Sequence, residues 1–232
     1  MIKIKKIIPT ALLLTSISSV ALADNWNVGA SASYGNLDGT ASDTQVGPAG
    51  TVSQTRGAKG GDADFPFASI FVEYAKTMDK DLDIIFGLDY VPFKAEIDSK
   101  SFADTSIEAA EPTTAGTRRA KLELENYATL YLQPTYKIGG GTAVFGKVGY
   151  IHGDVKISGS NTATGSTINA TDTLNGYVVG LGVQHNINKN VFVRLEGSYT
   201  DHDSVTATDS KGTKFTADSE LIAGKLSIGY SF

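Results

Sequence analysis

The chain has 232 residues, with 25 glycines, ten tyrosines and no cysteine, and its formal net charge at pH 7 is −5. The length suffices for one domain, and the acidic balance argues against a nucleic-acid-binding surface. The lack of cysteine excludes disulfides, thiolate metal sites and cysteine catalysis.

Residues 1–23 predict a secretory signal peptide. Three lysines precede a short apolar run over residues 7–20, and an Ala-Leu-Ala cleavage site comes directly before Asp24. Cleavage would leave a domain over residues 24–232 with a net charge of −8, because the removed segment has three lysines and no acidic residue. A retained N-terminal anchor is the alternative. Since no other stretch approaches 18 apolar residues, no transmembrane helix is predicted.

From residue 26 onward, large apolar residues alternate with small or polar ones, which is typical of β-strands with two different faces. The eight predicted strands cover residues 26–34, 67–76, 82–93, 122–138, 142–156, 174–185, 191–200 and 222–232. Their connections alternate between long loops (36–64, 98–120, 157–173 and 201–219) and tight turns (77–81, 139–141 and 186–190). This pattern predicts an all-β fold, an eight-stranded antiparallel up-and-down transmembrane β-barrel with its long loops outside the cell.

The aromatic residues support this topology, because those predicted to face outward fall into two rings. Trp26, Tyr74, Tyr136, Tyr230 and Phe232 belong to one end of the barrel, and Tyr34, Tyr90, Tyr150, Tyr177 and Tyr199 belong to the other. Aromatic girdles are expected at the two lipid–water interfaces. A soluble β-sandwich is the alternative fold, but it would bury its apolar face. Here we expect small and charged residues on the inner face.

Five charged residues are predicted to face the lumen near its mid-height: Glu73, Lys147, Arg194, Glu196 and Lys225. Buried charges must pair or change their protonation state. Because an eight-stranded barrel is only wide enough for side chains to fill it, we expect a salt-bridge network that plugs the lumen. A narrow gated pore, in which these pairs exchange partners, is the functional alternative.

Three segments read FGKVGY (residues 145–150), GYVVGLGVQHNINKNVFVRLEGSY (176–199) and GKLSIGYSF (224–232). They resemble the opacity-type surface antigens, which belong with the OmpA-type eight-stranded barrels of Gram-negative bacteria. The resemblance is best from about residue 142 onward, and further upstream it is limited to periodicity. It implies an outer-membrane surface antigen, adhesin or structural protein without a peptidoglycan-binding domain.

The last strand ends with Ile228, Tyr230 and Phe232 on its apolar face. A terminal aromatic residue after such a strand resembles the signal by which outer-membrane barrels are recognised for assembly. The resemblance therefore implies the barrel-assembly machinery and periplasmic chaperones as partners, together with outer-membrane lipid and lipopolysaccharide.

An enzyme hypothesis depends on His202 and Ser204, since lipid A deacylases are eight-stranded barrels that use a His-x-Ser pair with an acidic residue as orienter. A serine nucleophile needs a nearby base. However, Val205 follows the serine where that family has asparagine. We therefore interpret His202 as a solvated loop residue. His152 and His185 are isolated on the outer face, so the sequence predicts no metal, cofactor or catalytic site.

The sequence thus favours a structural or surface-recognition protein that acts through four mobile external loops. The first alternative is a narrow, porin-like channel for small solutes or hydrophobic compounds, and a remote one is a lipid A-modifying hydrolase. Charges of both signs and the inward Phe71, Tyr127, Tyr131 and Phe145 favour a plugged barrel over a pore. The pattern identifies neither an external ligand nor an oligomeric state.

Overall fold

The computed structural model describes residues 25–46, 52–104, 116–162, 165–210 and 212–232, and they form nine β-strands. The strands are β1 (Asn25–Val46), β2 (Val52–Asp79), β3 (Leu82–Tyr90), β4 (Ala95–Asp104), β5 (Gly116–Gly139), β6 (Thr142–Asn161), β7 (Ser166–Asn186), β8 (Val191–Thr208) and β9 (Lys214–Ser231). Among these residues, no helix is long and apolar enough to cross a bilayer. The predicted signal peptide lies outside the described residues and stays a prediction.

The strands form one closed antiparallel sheet. Their order is β3-β2-β1-β9-β8-β7-β6-β5-β4, and a further pairing of β3 with β5 closes the ring. β3 pairs with the second half of β5 and β4 with its first half, so these two strands occupy a single position in the ring. The ring therefore has eight positions, which confirms the predicted barrel.

The break between β3 and β4 corrects the predicted strand, which was expected to continue to residue 93. Pro92 has no N–H to donate to the sheet, while the Val91 N–H still donates to the Tyr127 carbonyl at 2.8 Å. On β5, Asn126 has a φ of 53°, and the register with β6 shifts between Glu125 and Ala128. This β-bulge changes which residues of β5 face inward.

The prediction of four long loops is wrong for most of their residues, because the strands continue into these segments as paired hairpins. β1 and β2 pair as far as Val46 and Val52, and β8 and β9 pair as far as Thr208 and Lys214. The described parts of the four predicted loops contain no proline, so no missing N–H interrupts the ladder. We interpreted their Gly, Ser, Thr and Asp composition as loops, although threonine is common in strands.

Two rings of exposed aromatic residues divide the barrel along its axis. One ring comprises Trp26, Tyr136, Tyr230 and Phe232, and the other comprises Tyr34, Tyr150, Tyr177 and Tyr199. We call the part between the rings the membrane section and the part beyond the second ring the projecting section. Apart from β3 and β4, the strands have 18 to 28 residues, whereas about 9–11 suffice to cross a bilayer. The projecting section is therefore a substantial paired wall.

The outer face of the membrane section is apolar, as predicted. Its exposed side chains include Ile70, Phe86, Leu88, Leu130, Val148, Val179, Leu181, Leu195, Leu226 and Ile228. Short turns connect the strands at one end, where Gly139, Gly140 and Gly141 all have positive φ. A run of left-handed residues is readily tolerated only by glycine, which explains this turn sequence.

Inside the membrane section, four aromatic rings lie over glycines on neighbouring strands. The pairs are Phe71 with Gly29, Tyr131 with Gly87, Phe145 with Gly182, and Phe192 with Gly229. A Cβ added to any of these glycines would overlap the facing ring. Each position in the ring of strands contributes one member to one pair, so this packing extends around the whole lumen.

Candidate functional site

The best-defined polar cluster is an ion pair that crosses the lumen from β2 to β8. Arg194 Nη1 donates to Glu73 Oε1 at 2.6 Å, and Nη2 donates to Oε2 at 3.1 Å. Glu73 also accepts hydrogen bonds from Tyr131 Oη at 2.5 Å and Asn27 Nδ2 at 3.2 Å. Both charged side chains are almost completely buried. The pair is therefore bidentate and surrounded by further donors, which is the geometry a buried ion pair needs.

Two more ion pairs lie in the same part of the lumen. Lys147 Nζ is 2.5 Å from Glu196 Oε2, and Lys225 Nζ is 2.9 Å from Asp89 Oδ2. The structure thus places all five predicted charged residues in the lumen, each with an oppositely charged partner. Asp89 is the member of the cluster that sequence reasoning missed, and it is buried in the lumen beside Lys225. The predicted set had two acids and three bases, which indicates one missing acid but does not show which residue it is.

Aromatic side chains enclose the cations of this network. The Arg194 guanidinium carbon lies 5.0 to 5.6 Å from the ring centres of Phe71, Phe145 and Phe192, and Lys147 Nζ lies 4.3 Å from that of Tyr131. Cations over aromatic faces are attracted by the ring quadrupole, more strongly where water is excluded. The same rings that cover the inward glycines therefore also hold the charges in place.

The network and its aromatic rings fill the lumen of the membrane section. A cavity of about 30 Å³ lies next to Lys147, Glu196 and Lys225, and this is about the volume of one water molecule in the liquid. Three acids and three bases make the cluster electrically neutral. Such an arrangement can hold the barrel closed, and it offers no continuous path of one charge sign.

The lumen of the projecting section is different, and it corrects the expectation of a small and charged inner face along the whole barrel. Its buried side chains form an apolar core that includes Phe65, Ile97, Leu124, Val155, Leu174 and Leu221. A cavity of about 330 Å³ lies within this core. The inner face is therefore polar at the level of lipid and apolar beyond it.

A change in which alternate residues are apolar, from even-numbered to odd-numbered positions, could have revealed this apolar core. On β6, the apolar residues Val148 and Tyr150 face outward, whereas Ile151 and Val155 occupy odd positions and face inward. The apolar set therefore moves to the opposite face partway along the strand. The change lies within the predicted strand over residues 142–156, whose inner face we had expected to be small and charged along its whole length.

The structure also overturns the predicted surroundings of His202. The side chain is buried and faces the lumen, whereas Ser204 is exposed and its Oγ donates to Asp218 Oδ1. The register of β8 with β9 shifts between His202 and Val205, and this irregularity turns Ser204 away from the histidine. His202 is therefore not a solvated loop residue, and it forms no pair with Ser204.

His202 instead contacts two other polar side chains. Its Nε2 lies 3.3 Å from Tyr127 Oη, and its Nδ1 lies 3.3 Å from Ser219 Oγ. All three side chains line the 330 Å³ cavity. His152 and His185 are exposed on the outer face, where they contact Asn175 and Thr142. Within the described part of the chain, no cluster of acidic and histidine side chains is arranged to hold a metal ion.

The outer face of the projecting section has exposed ion pairs. Lys121 Nζ lies 2.9 Å from Glu123 Oε1 and 3.1 Å from Glu96 Oε2. These residues lie beyond the second aromatic ring, and the hydrogen bond from Lys121 lowers the pKa of Glu123. Such exposed pairs contribute little to stability and leave the surface well hydrated.

The residues of the predicted assembly signal, Ile228, Tyr230 and Phe232, are exposed on the lipid-facing side of β9 and just after it. The Phe232 N–H donates to the Trp26 carbonyl at 2.9 Å, and the Tyr230 and Phe232 rings pack edge to face with centres 5.0 Å apart. The last residue is thereby attached to β1. Recognition of these residues by an assembly machinery stays a prediction.

The fold and the sequence define the class of protein. The family model of the outer membrane protein beta-barrel domain matches residues 10–221. The chain therefore belongs to this family of outer-membrane β-barrel proteins, and membership implies the outer membrane of a Gram-negative bacterium as its location.

Several solved structures are similar in fold. The attachment invasion locus protein Ail of Yersinia pestis has 14% identity and a TM-score of 0.44, over 89% of this chain and 98% of that one. OprG of Pseudomonas aeruginosa has 16% identity and a TM-score of 0.46, with 88% and 96% covered. The protease OmpT of Escherichia coli has 11% identity and a TM-score of 0.48, with 89% and 97% covered. No curated protein sequence matches this chain.

Proposed function

We propose that this protein is a non-conducting outer-membrane barrel whose role is recognition at the cell surface through its projecting section. The main support for a closed barrel is the neutral network across the lumen, which consists of Glu73, Asp89, Lys147, Arg194, Glu196 and Lys225. The observation that supports recognition is the length of the paired hairpins beyond the membrane section.

The closed state follows from the cost of opening the network. Separating a buried ion pair without a new partner costs several kcal/mol, on the order of 3–5. The Glu73–Arg194 pair also has hydrogen bonds from Tyr131 and Asn27 and aromatic rings around the guanidinium. An aqueous path would have to displace both the charges and the rings. A narrow channel is therefore the weaker interpretation.

Recognition is supported by the position and surface of the projecting section. In barrels of this kind the short turns face the periplasm and the long connections face the exterior. On β1 the wall extends from Gly35 to Val46 beyond the ring at Tyr34, roughly 40 Å along the strand at about 3.3 Å per residue. Its exposed residues include Asp38 and Asp62, so the surface is hydrated and presented on a stiff support.

Chemistry at Ser204 is not part of the proposal. The residue is hydrogen-bonded to Asp218 on the outside of the wall, away from the only histidine near it in sequence. The His-x-Ser mechanism needs the imidazole in contact with the serine, and here His202 contacts Tyr127 and Ser219 instead. We therefore do not retain the lipid A hydrolase hypothesis.

Single-channel conductance in planar bilayers tests the closed state. We expect the refolded protein to be silent and a K147A/K225A variant to show leak, because that variant leaves Glu196 and Asp89 unpaired in the lumen. A K121A variant is the matched control, since it removes a lysine from the outer face of the projecting section. Steady openings in the unmodified protein would overturn the closed state and establish the channel alternative.

The recognition role needs a separate test, because a closed barrel is compatible with a purely structural role. Protein in lipid nanodiscs is applied to an array of purified glycans and extracellular proteins, beside a variant in which the β8–β9 hairpin is shortened between residues 205 and 217. We expect saturable binding to one class of molecule that the shortened variant lacks. Binding to none, or equal binding by both, would contradict recognition through this hairpin.

A further inference from the structure

We propose that the cavity in the projecting section binds one small, uncharged and mainly apolar molecule with a single polar group. A cavity of about 150 Å³ accommodates benzene, so the 330 Å³ here corresponds to about 10–14 non-hydrogen atoms. This site is distinct from the recognition surface, which lies on the outside of the wall.

The strands of the barrel surround the cavity laterally, and the cavity is partly open to solvent. Every position in the ring of strands contributes an apolar side chain to its lining, for example Phe65 from β2, Leu124 from β5, Val155 from β6, Leu174 from β7 and Leu221 from β9. A concave, mainly apolar space with a few convergent polar groups is the usual form of a small-molecule site, and the volume of this cavity falls within the usual range.

The protein leaves this space unfilled, and its mainly apolar lining offers water few partners. Interiors of proteins are close-packed, with few voids larger than a water molecule. A water molecule needs two to four polar partners, whereas most of the lining of this cavity is apolar. An apolar ligand would restore the contacts that the lining side chains lack.

Two buried residues supply the polar anchor. Tyr127 and His202 are each 6% exposed, and they line the cavity from β5 and β8. Their mutual contact of 3.3 Å, and that of His202 with Ser219, are at the long end of the hydrogen-bond range. A hydroxyl or carbonyl group of a ligand can therefore compete for the Tyr127 Oη or for an imidazole nitrogen.

The base of the cavity is closed, so the geometry describes a binding site and no passage. Tyr127 and Leu221 line both this cavity and the 30 Å³ cavity beside the ion-pair network. The cavity beside the network has less than a tenth of the volume of the cavity in the projecting section. Toward the hairpin ends, Gly39, Gly60 and Gly61 form part of the wall without side chains, and this leaves room for entry.

The first test follows methyl NMR signals of the protein in nanodiscs during titration with 2-naphthol, which has 11 non-hydrogen atoms. We expect saturable shifts for methyl groups of Ile97, Leu124 and Val155 in the cavity. The lipid-facing methyl groups of Leu195 and Ile228 report partitioning into the bilayer, which gives shifts without saturation. Equal, non-saturating shifts in both groups would overturn the proposal.

Filling the cavity is the second test. G61L places a larger side chain on the inner face at a position where an added Cβ has no neighbour within 4 Å, so the barrel tolerates it. G224L makes the same change on the lipid-facing side, also without a neighbour within 4 Å. We expect G61L to weaken 2-naphthol binding at least tenfold and G224L to leave it unchanged. Unchanged binding in G61L would place the ligand outside this cavity.

The polar anchor is tested by comparing 2-naphthol with naphthalene. We expect the hydroxyl to increase affinity about five- to tenfold, the usual effect of one net hydrogen bond, and Y127F to remove most of that preference. The affinity for naphthalene should be the same in Y127F and in the unmodified protein. That equality would show that Y127F still folds and still has the cavity. Equal affinity for both probes in the unmodified protein would overturn the anchor.

Discussion

The membrane section and the projecting section are built from the same strands, yet their interiors have opposite chemistry. Between the aromatic rings, the lumen holds paired charges such as Glu73 and Arg194, and the wall presents Leu195 and Ile228 to lipid. Beyond the second ring, the lumen holds Leu124 and the wall presents hydrated ion pairs. Along a single strand, the apolar residues therefore move from the outer face of the barrel to its inner face.

This difference shows that the solvent outside the wall decides what lies inside it. Where lipid surrounds the barrel, the outer face takes the apolar residues and the small lumen is filled by paired charges and aromatic rings. Where water surrounds it, the hydrophobic effect places apolar residues inside, as in a soluble barrel. The β-bulge at Asn126 and the irregularity after His202 help to make that exchange.

The largest effect is expected from R194A, which breaks the charged interior of the membrane section. The variant leaves Glu73 buried without its cation, so the free energy of unfolding should fall by about 3–5 kcal/mol. Equilibrium urea unfolding in lipid vesicles measures it. The double variant E73Q/R194M should recover most of the loss, because it removes both charges. If R194A is as stable as the unmodified protein, the Glu73–Arg194 pair does not stabilise the barrel.

L221A breaks the apolar interior of the projecting section. Leu221 is 4% exposed and borders the existing cavity, so its truncation enlarges that cavity and should cost about 2–3 kcal/mol. The adjacent Ile222 is on the outer face, and I222A is the matched control with a smaller expected loss. The same urea titration compares them. Equal losses would mean that the projecting section has no stabilising core.

G87A tests the packing of aromatic rings over glycines in the membrane section. The added methyl group would overlap the Tyr131 ring and displace its hydroxyl from Glu73, at a cost of about 1–3 kcal/mol. G224A is the control, because its Cβ has no neighbour within 4 Å. Replacing the ring in G87A/Y131L should recover part of the loss. If G87A unfolds at the same urea concentration as G224A, the packing of the Tyr131 ring does not require a glycine at position 87.

The smallest effect is expected from K121A. Lys121 pairs with Glu96 and Glu123 on the water-exposed wall, and exposed pairs contribute little to stability. The urea midpoint should stay close to that of the unmodified protein and should depend weakly on salt. A loss as large as that of R194A would erase the distinction between the two sections.

The barrel, the orientation of its strands and the inward placement of the charged residues were all readable from the sequence, because alternation with period two fixes which side chains share a face. The apolar cavity was not readable in the same way. Much of its lining comes from residues 36–64, whose polar composition resembles a loop and whose pairing depends on a register set elsewhere in the barrel. Asp89 as the partner of Lys225 also required the three-dimensional structure, since the two are joined across the lumen.

The aromatic rings that cover glycines have a consequence for the order of assembly. Each ring and its glycine belong to strands that are consecutive around the barrel and joined by one outward hairpin, so these contacts can form within a hairpin on its own. The ion pairs instead join different hairpins, and each has one member, Arg194, Glu196 or Lys225, on β8 or β9. The four hairpins can therefore form separately. The buried charges of the other hairpins are neutralised only when the β8–β9 hairpin joins the barrel, so closure of the barrel is cooperative.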